Sequence, residues 1–62
     1  MKTVKINKGD LVVLHNGTTG IIDEIDKSVC QFMLNYPYII WFHLMDIKVL
    51  NGKYVESEWL SI

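Results

Sequence analysis

Gly9-Asp10-Leu11-Val12-Val13-Leu14-His15-Asn16-Gly17-Thr18-Thr19-Gly20-Ile21-Ile22-Asp23-Glu24-Ile25 is the stretch that decides the fold of this chain. A Gly-Asp pair opens a strongly apolar strand. Asn16 and Gly17 then supply the positive φ of a tight connection. A second strand leaves that connection with apolar and acidic residues in alternation. Two strands joined so closely are antiparallel neighbours, and the reading extends outward from them.

The rest of the chain uses the same alphabet. It has 62 residues, no alanine and no arginine, and half of its residues are hydrophobic. The best helix former is absent, while Ile, Val and Thr supply 17 residues and aromatics seven. These are strand-building residues. A domain of this size buries only about 60% of its unfolded surface, so it depends on a dense core, a staple or a partner subunit. Cys30 is the sole cysteine, which excludes an internal disulfide and a cysteine zinc cluster. A dense core, helped by self-association, remains.

Strands are expected over residues 3–6, 11–15, 21–26, 29–34, 38–45, 47–50 and 53–56, as one domain spanning residues 1–62. The first is a short edge strand. Lys27-Ser28 reads as a tight turn and Asn35-Tyr36-Pro37 as a break or hairpin, because proline cannot donate to a central ladder. The almost wholly apolar run 38–45 is expected to be the central strand, covered on both sides. Asn51-Gly52 is a hairpin signal. Ser57 is expected to cap one 3₁₀ turn over residues 57–60, with Trp59 and Leu60 falling into the core, before a stub strand at 61–62. Full closure removes exposed edges, so the fold class is all-β, a five-stranded barrel with a short 3₁₀ turn near its end.

The pattern Gly9-Asp10-x-Val12-x-Leu14-x-x-Gly17-x-x-Gly20-x-Ile22 resembles the KOW-type hairpin of Src-homology-3-like barrels, found in ribosomal proteins and transcription elongation factors. The resemblance covers about 14 residues and implies a Src-homology-3-like barrel. In members that bind RNA, basic residues near the connection meet phosphates. Here the connection Asn16-Gly17-Thr18-Thr19-Gly20 is shorter and uncharged. Net charge is −1 and six lysines are scattered, which is no basic footprint. The segment Gly52-Lys53-Tyr54-Val55-Glu56-Ser57-Glu58 is similar to the plasmid-borne type of dihydrofolate reductase, a short chain active as a tetramer around a pore. That family's Val-Gln-Ile-Tyr strand has no equivalent here; Tyr38-Ile39-Ile40-Trp41 does not match it.

Each chemistry-bearing residue has a plain reading beside the functional one. His15 and His43 lack metal-ligand spacing; His15 is expected in solvent and His43 partly buried on a backbone group. Cys30 has no neighbouring base and reads as a small buried hydrophobe. Asp23, Glu24 and Asp26 form an acidic cluster. Strict alternation puts Asp23 inward with Ile21 and Ile25, and Glu24 and Asp26 on the other face. That pair has the chemistry to take a hard cation, to face a basic protein, or to stand in for phosphates. A solvated face is the plainer reading. Tyr36, Tyr38, Trp41, Phe42, Tyr54 and Trp59 are many aromatics for so small a core; the core takes about half of them, Trp41 or Phe42 and Trp59 among these, and the rest mark a groove or an interface.

The expected function is a small non-catalytic binding module that acts through protein–protein contacts. Partner-binding residues are Asp23, Glu24, Asp26, Tyr36, Tyr38, Trp41 and Tyr54, with no cofactor. The apolar excess points to a homo-oligomer or tight complex. The small size and AT-rich residue usage fit a phage or mobile-element accessory protein that inhibits a host defence enzyme. Two alternatives stand beside it: a KOW-type nucleic-acid binder, and a small-ligand binder or enzyme built at a symmetric oligomer interface. The free cysteine and the absence of an apolar leader or ~20-residue span fit a cytoplasmic protein.

Overall fold

The computed structural model describes residues 3–36 and 38–62. Met1, Lys2 and Pro37 lie outside the described residues, and with them part of the N-terminal reading and the proline of the expected break. Among the described residues eight strands run in chain order: β1 (Val4–Lys5), β2 (Leu11–Leu14), β3 (Thr19–Asp26), β4 (Gln31–Leu34), β5 (Ile40–His43), β6 (Ile47–Leu50), β7 (Lys53–Tyr54) and β8 (Leu60–Ser61). Two 3₁₀ turns, Leu44–Asp46 and Ser57–Trp59, precede β6 and β8. Six strands form one antiparallel sheet ordered β5-β4-β3-β2-β6-β7, and β1 pairs with β8 in parallel. Among the described residues no pairing joins β7 to β5, so both are sheet edges.

The all-β expectation holds, but among the described residues the sheet is open rather than a closed five-stranded barrel, and the strands are more numerous, most of them shorter and β3 longer than expected. The run 38–45 is not central. It yields β5, an edge strand paired only with β4, and then turns away at Leu44 into a 3₁₀ turn. His43 starts that turn in extended conformation: its Nδ1 accepts the Met45 N–H at 3.3 Å, and its own N–H donates to Asp46 Oδ2 at 3.0 Å. This reciprocal capping stops the strand. Ser57 does not cap the second turn. It lies inside it, after Glu56, and no side-chain cap bond forms there.

Two bulges set the curvature. Between Ile22 and Glu24 the β3–β4 register shifts by one residue, which places Asp23 as the extra residue. Between Val13 and Leu14 the β2–β6 register shifts, which places Lys48 as the extra residue. Each bulge extrudes a charged residue and resets the alternation. Ile22 is buried and Ile25 packs against the core three residues on; Ile47 and Leu50 do the same. Asp23 therefore faces outward and is exposed, contrary to strict alternation, and Ile21 faces outward with it.

Among the described residues nine hydrophobics form the buried core, with Val12, Phe32 and Ile47 at full burial. Val4, Leu60 and Ile62 pack against it from the parallel pair and chain end. Gly20 sits opposite Val12, and a Cβ there would stand 3.1 Å from Leu34 Cδ1. Glycine at this position makes room for the leucine. Cys30 is neither buried nor in a strand: it is exposed, in the turn before β4, with φ 54°. Its carbonyl accepts the Leu44 N–H at 3.2 Å.

The Gly9-Asp10 pair has a tertiary role. Asp10 Oδ2 accepts the Asn7 N–H at 2.8 Å, and Asp10 Oδ1 accepts Asn51 Nδ2–H at 3.2 Å. Asn51 Oδ1 in turn accepts the Leu11 N–H at 2.9 Å. Asn51 and Gly52 have φ of 50° and 84°, the paired left-handed conformation of a type I′ hairpin. The two Asx residues thus tie the start of β2 to the β6–β7 turn. Asn51→Gly keeps that turn and deletes the tie. It is expected to cost about 1 kcal/mol, a fall of about 4–8 °C in Tm for a domain this small. In a double-mutant cycle with Asp10→Ala the two losses are less than additive by about 0.5 kcal/mol; strict additivity in chemical denaturation would show that the tie carries no energy.

Candidate functional site

An apolar groove of about 330 Å³ lies beside the β5 edge. Leu34, Ile40 and Phe42 form its floor, Tyr36 and Tyr38 one wall, and Asn16 and Thr18 of the β2–β3 loop the other. The floor follows from register. Leu34 pairs with Ile40 and Phe32 with Phe42, so all four side chains share the core-side face. Phe42 stacks on buried Phe32, ring centroids 6.0 Å apart, and this fixes the ring. The loop wall is held by local bonds: the Thr18 N–H donates to Asn16 Oδ1 at 2.9 Å, and the Leu14 N–H to the Thr18 carbonyl at 2.8 Å. Tyr36 and Tyr38 stand 82% and 71% exposed, so their rings are available.

The structure brings only some of the expected site residues together. Tyr36 and Tyr38 share the groove. Trp41 lies on the opposite face of β5, in the rung Glu24–Met33–Trp41. Tyr54 is on the far edge strand, with Lys48 Nζ 5.8 Å from its ring centroid. The acidic cluster is dispersed by use. Glu24 faces Lys8 at 3.8 Å across an exposed gap. Asp26 is spent on its own turn, accepting Ser28 Oγ–H at 2.6 Å and the Ser28 N–H at 3.0 Å. Asp23 lines a separate outer-face hollow with Ile21, Asn35 and Tyr36.

The histidines are bound up in backbone geometry. The His15 N–H donates to the Asp46 carbonyl at 3.0 Å, while His43 is exposed and caps the turn. Among the described residues no three His, Cys, Asp or Glu side chains gather as metal ligands do.

No family model, no curated protein and no solved structure matches this chain.

Two groups of residues escape a reading of the sequence. Asn16 and Thr18 join the groove from a loop about 20 residues before the tyrosines, and nothing local signals it. Lys5, Lys8 and Lys27 line one cleft of about 340 Å³ with Glu24 and Ile62, although they look scattered along the chain.

The Asp26 turn gives a pH dependence. Ser28 Oγ–H, then the Ser28 N–H, then the Val29 N–H hold the Asp26 carboxylate in its charged form, below its ordinary value of 3.8. The folded value is the lower one. The turn's contribution is therefore present above the ordinary carboxylate range and lost as pH falls through the folded value. In an NMR titration Ser28→Ala is expected to move the Asp26 midpoint upward toward its ordinary value. An unmoved midpoint would refute the role assigned to Ser28.

Proposed function

We propose that this chain is a non-catalytic protein-binding module, a curled Src-homology-3-like sheet whose recognition surface is the groove of Tyr36, Tyr38, Ile40 and Phe42. The observation that carries this reading is the pairing of two highly exposed tyrosines with an ordered apolar floor. Aromatics offer large contact area at low entropic cost, and an aromatic-lined groove suits an extended segment of a partner. The polar edge at Asn16 and Thr18 supplies hydrogen bonding for the segment's backbone. Blocking a larger enzyme by occupying such a segment is one form this binding takes, and it fits a small accessory protein. The groove, rather than the acidic strand, carries the reading, because Glu24 and Asp26 already face Lys8 and Ser28.

One observation favours nucleic acid as a second reading: the cleft lined by Lys5, Lys8 and Lys27. Glu24 sits among these lysines and offsets part of their charge.

Peptides selected from a displayed random library against the immobilised chain separate the two. Tyr38→Ala is expected to weaken the selected peptides about tenfold, a loss typical of a central aromatic contact, while Tyr54→Ala leaves them unchanged. A library that yields no binder, or binders indifferent to Tyr36 and Tyr38, overturns the groove. Binding of single-stranded or duplex nucleic acid whose affinity falls steeply with salt, and that Lys8→Glu abolishes, would establish the second reading instead.

A further inference from the structure

We infer that a second copy of this chain pairs with the free edge of β5 about a two-fold axis through Ile40; this rests on the binding-module reading and names a partner for the same hairpin.

The hydrogen-bond phase of β5 carries the argument. The Leu44 N–H donates to the Cys30 carbonyl, in register with the β4–β5 ladder. An antiparallel ladder alternates, so Phe42 and Ile40 turn their N–H and C=O groups toward β4. Trp41 and Ile39 turn theirs outward to the open side. His43 also faces outward, but its N–H is already taken by Asp46 Oδ2. Among the described residues, Ile39 and Trp41 are therefore the edge residues that offer both an N–H and a C=O outward. An antiparallel two-fold match with Ile40 on the axis sets Ile39 opposite Trp41 of the second copy, and Trp41 opposite its Ile39. The four outward groups of Ile39 and Trp41 are then all paired, and the capped N–H of His43 is not needed. The side chains suit the same register. Ile39 and Trp41, 66% and 44% exposed, meet on one face. On the other, Ile40 meets Ile40, and Tyr38 comes beside Phe42, so the two grooves join across the axis. Every rung is apolar or aromatic, the pairings that stabilise sheets.

Charge points the same way. Residues 28–45 contain no Lys, Arg, Asp or Glu, so two copies of this hairpin approach without like-charge repulsion. The opposite edge differs: β7 is two residues long and carries Lys53. Short strands and lysines are the usual protection of an edge. One edge is defended and the other is open. The open edge is short, with Ile39 and Trp41 as its outward pairing residues, so the dimer is a reversible one that dissociates on dilution.

Sedimentation equilibrium and amide exchange by NMR on the full chain, over a concentration series, test this. A dimer is expected whose formation slows exchange at Ile39 and Trp41 about tenfold, while His43, bonded within its own chain, exchanges at the same rate at every concentration. Trp41→Lys is expected to weaken the dimer at least about tenfold, and Ile21→Lys, on the outer face away from β5, to leave it intact. Trp41→Pro removes the outward N–H without touching the β4 ladder and serves where the lysine variant folds poorly. A chain monomeric at all concentrations, or a dimer whose Ile39 and Trp41 amides exchange without regard to concentration, overturns the inference. A monomer that still binds groove peptides leaves the binding-module reading standing. A β5 dimer that binds none defeats that reading and keeps this one.

Discussion

Two extra residues, Asp23 and Lys48, determine how a single sheet makes a core. They sit on the two strands that flank β2, one on each side. Strict alternation through residues 22–26 would put Glu24 and Asp26 on the same face as Ile22, and two carboxylates would enter the core at heavy desolvation cost. The bulge at Asp23 resets the phase and lets Ile22 and Ile25 face inward together. The bulge at Lys48 does the same for Ile47 and Leu50. Bulges also sharpen the local twist, so the sheet curls around Val12 and Leu14. Among the described residues no α-helix and no second large sheet supplies the facing layer that domains normally need. The curled sheet and the parallel β1–β8 pair face each other instead.

That curl explains what can be read from the chain and what cannot. The β2–β3 connection and the Asn51-Gly52 hairpin depend on residues adjacent in sequence, and turn chemistry reveals them, whereas the 3₁₀ turn before the last strand forms without the Ser57 cap that its sequence suggests. The bulges do not, because period-two alternation assumes one phase along a strand; the inward assignment of Asp23 failed for that reason. The run 38–45 misleads in another way. Continuous hydrophobicity marks a strand buried on both faces in the usual case, but it states only that the strand is apolar, not what covers it. Here the capping pair His43 and Asp46 ends the strand at the sheet edge. The parallel contact of Val4 with Leu60 joins residues 56 apart, and no local signal announces it. Within the candidate site, Tyr36 and Tyr38 are legible as surplus aromatics, whereas Asn16 and Thr18 enter only once the sheet is curled.

Polar side chains in this domain are largely used to close turns. Asp10 and Asn51 join two turns, Asn16 shapes a third, Asp26 holds a fourth, and His43 with Asp46 forms a fifth. In a chain without a disulfide or a long helix, short strands need their turns fixed by side-chain to backbone bonds, which relieve the backbone groups that a ladder cannot pair. Asp26, which looks like part of an acidic binding face, is thereby committed to its turn, while Glu24 faces Lys8 and Asp23 stays exposed.

The distribution of apolar residues then separates what the fold needs from what binding needs. Nine hydrophobics are buried, and ten large ones are exposed among the described residues. Seven of those ten (Val29, Tyr36, Tyr38, Ile39, Ile40, Trp41 and Met45) lie within residues 28–45. A single curled layer has no room for them inside. Along β5 the two roles alternate with the side chains. Phe42 is tied to Phe32, and Ile40 opposes Leu34, so both serve the floor that continues into the core. Ile39 and Trp41 touch neither buried residue in register, and charge at those two positions would protect the edge at no cost to the core. The core accounts for Phe42 and leaves Trp41 unexplained, whereas a strand laid along the edge accounts for both.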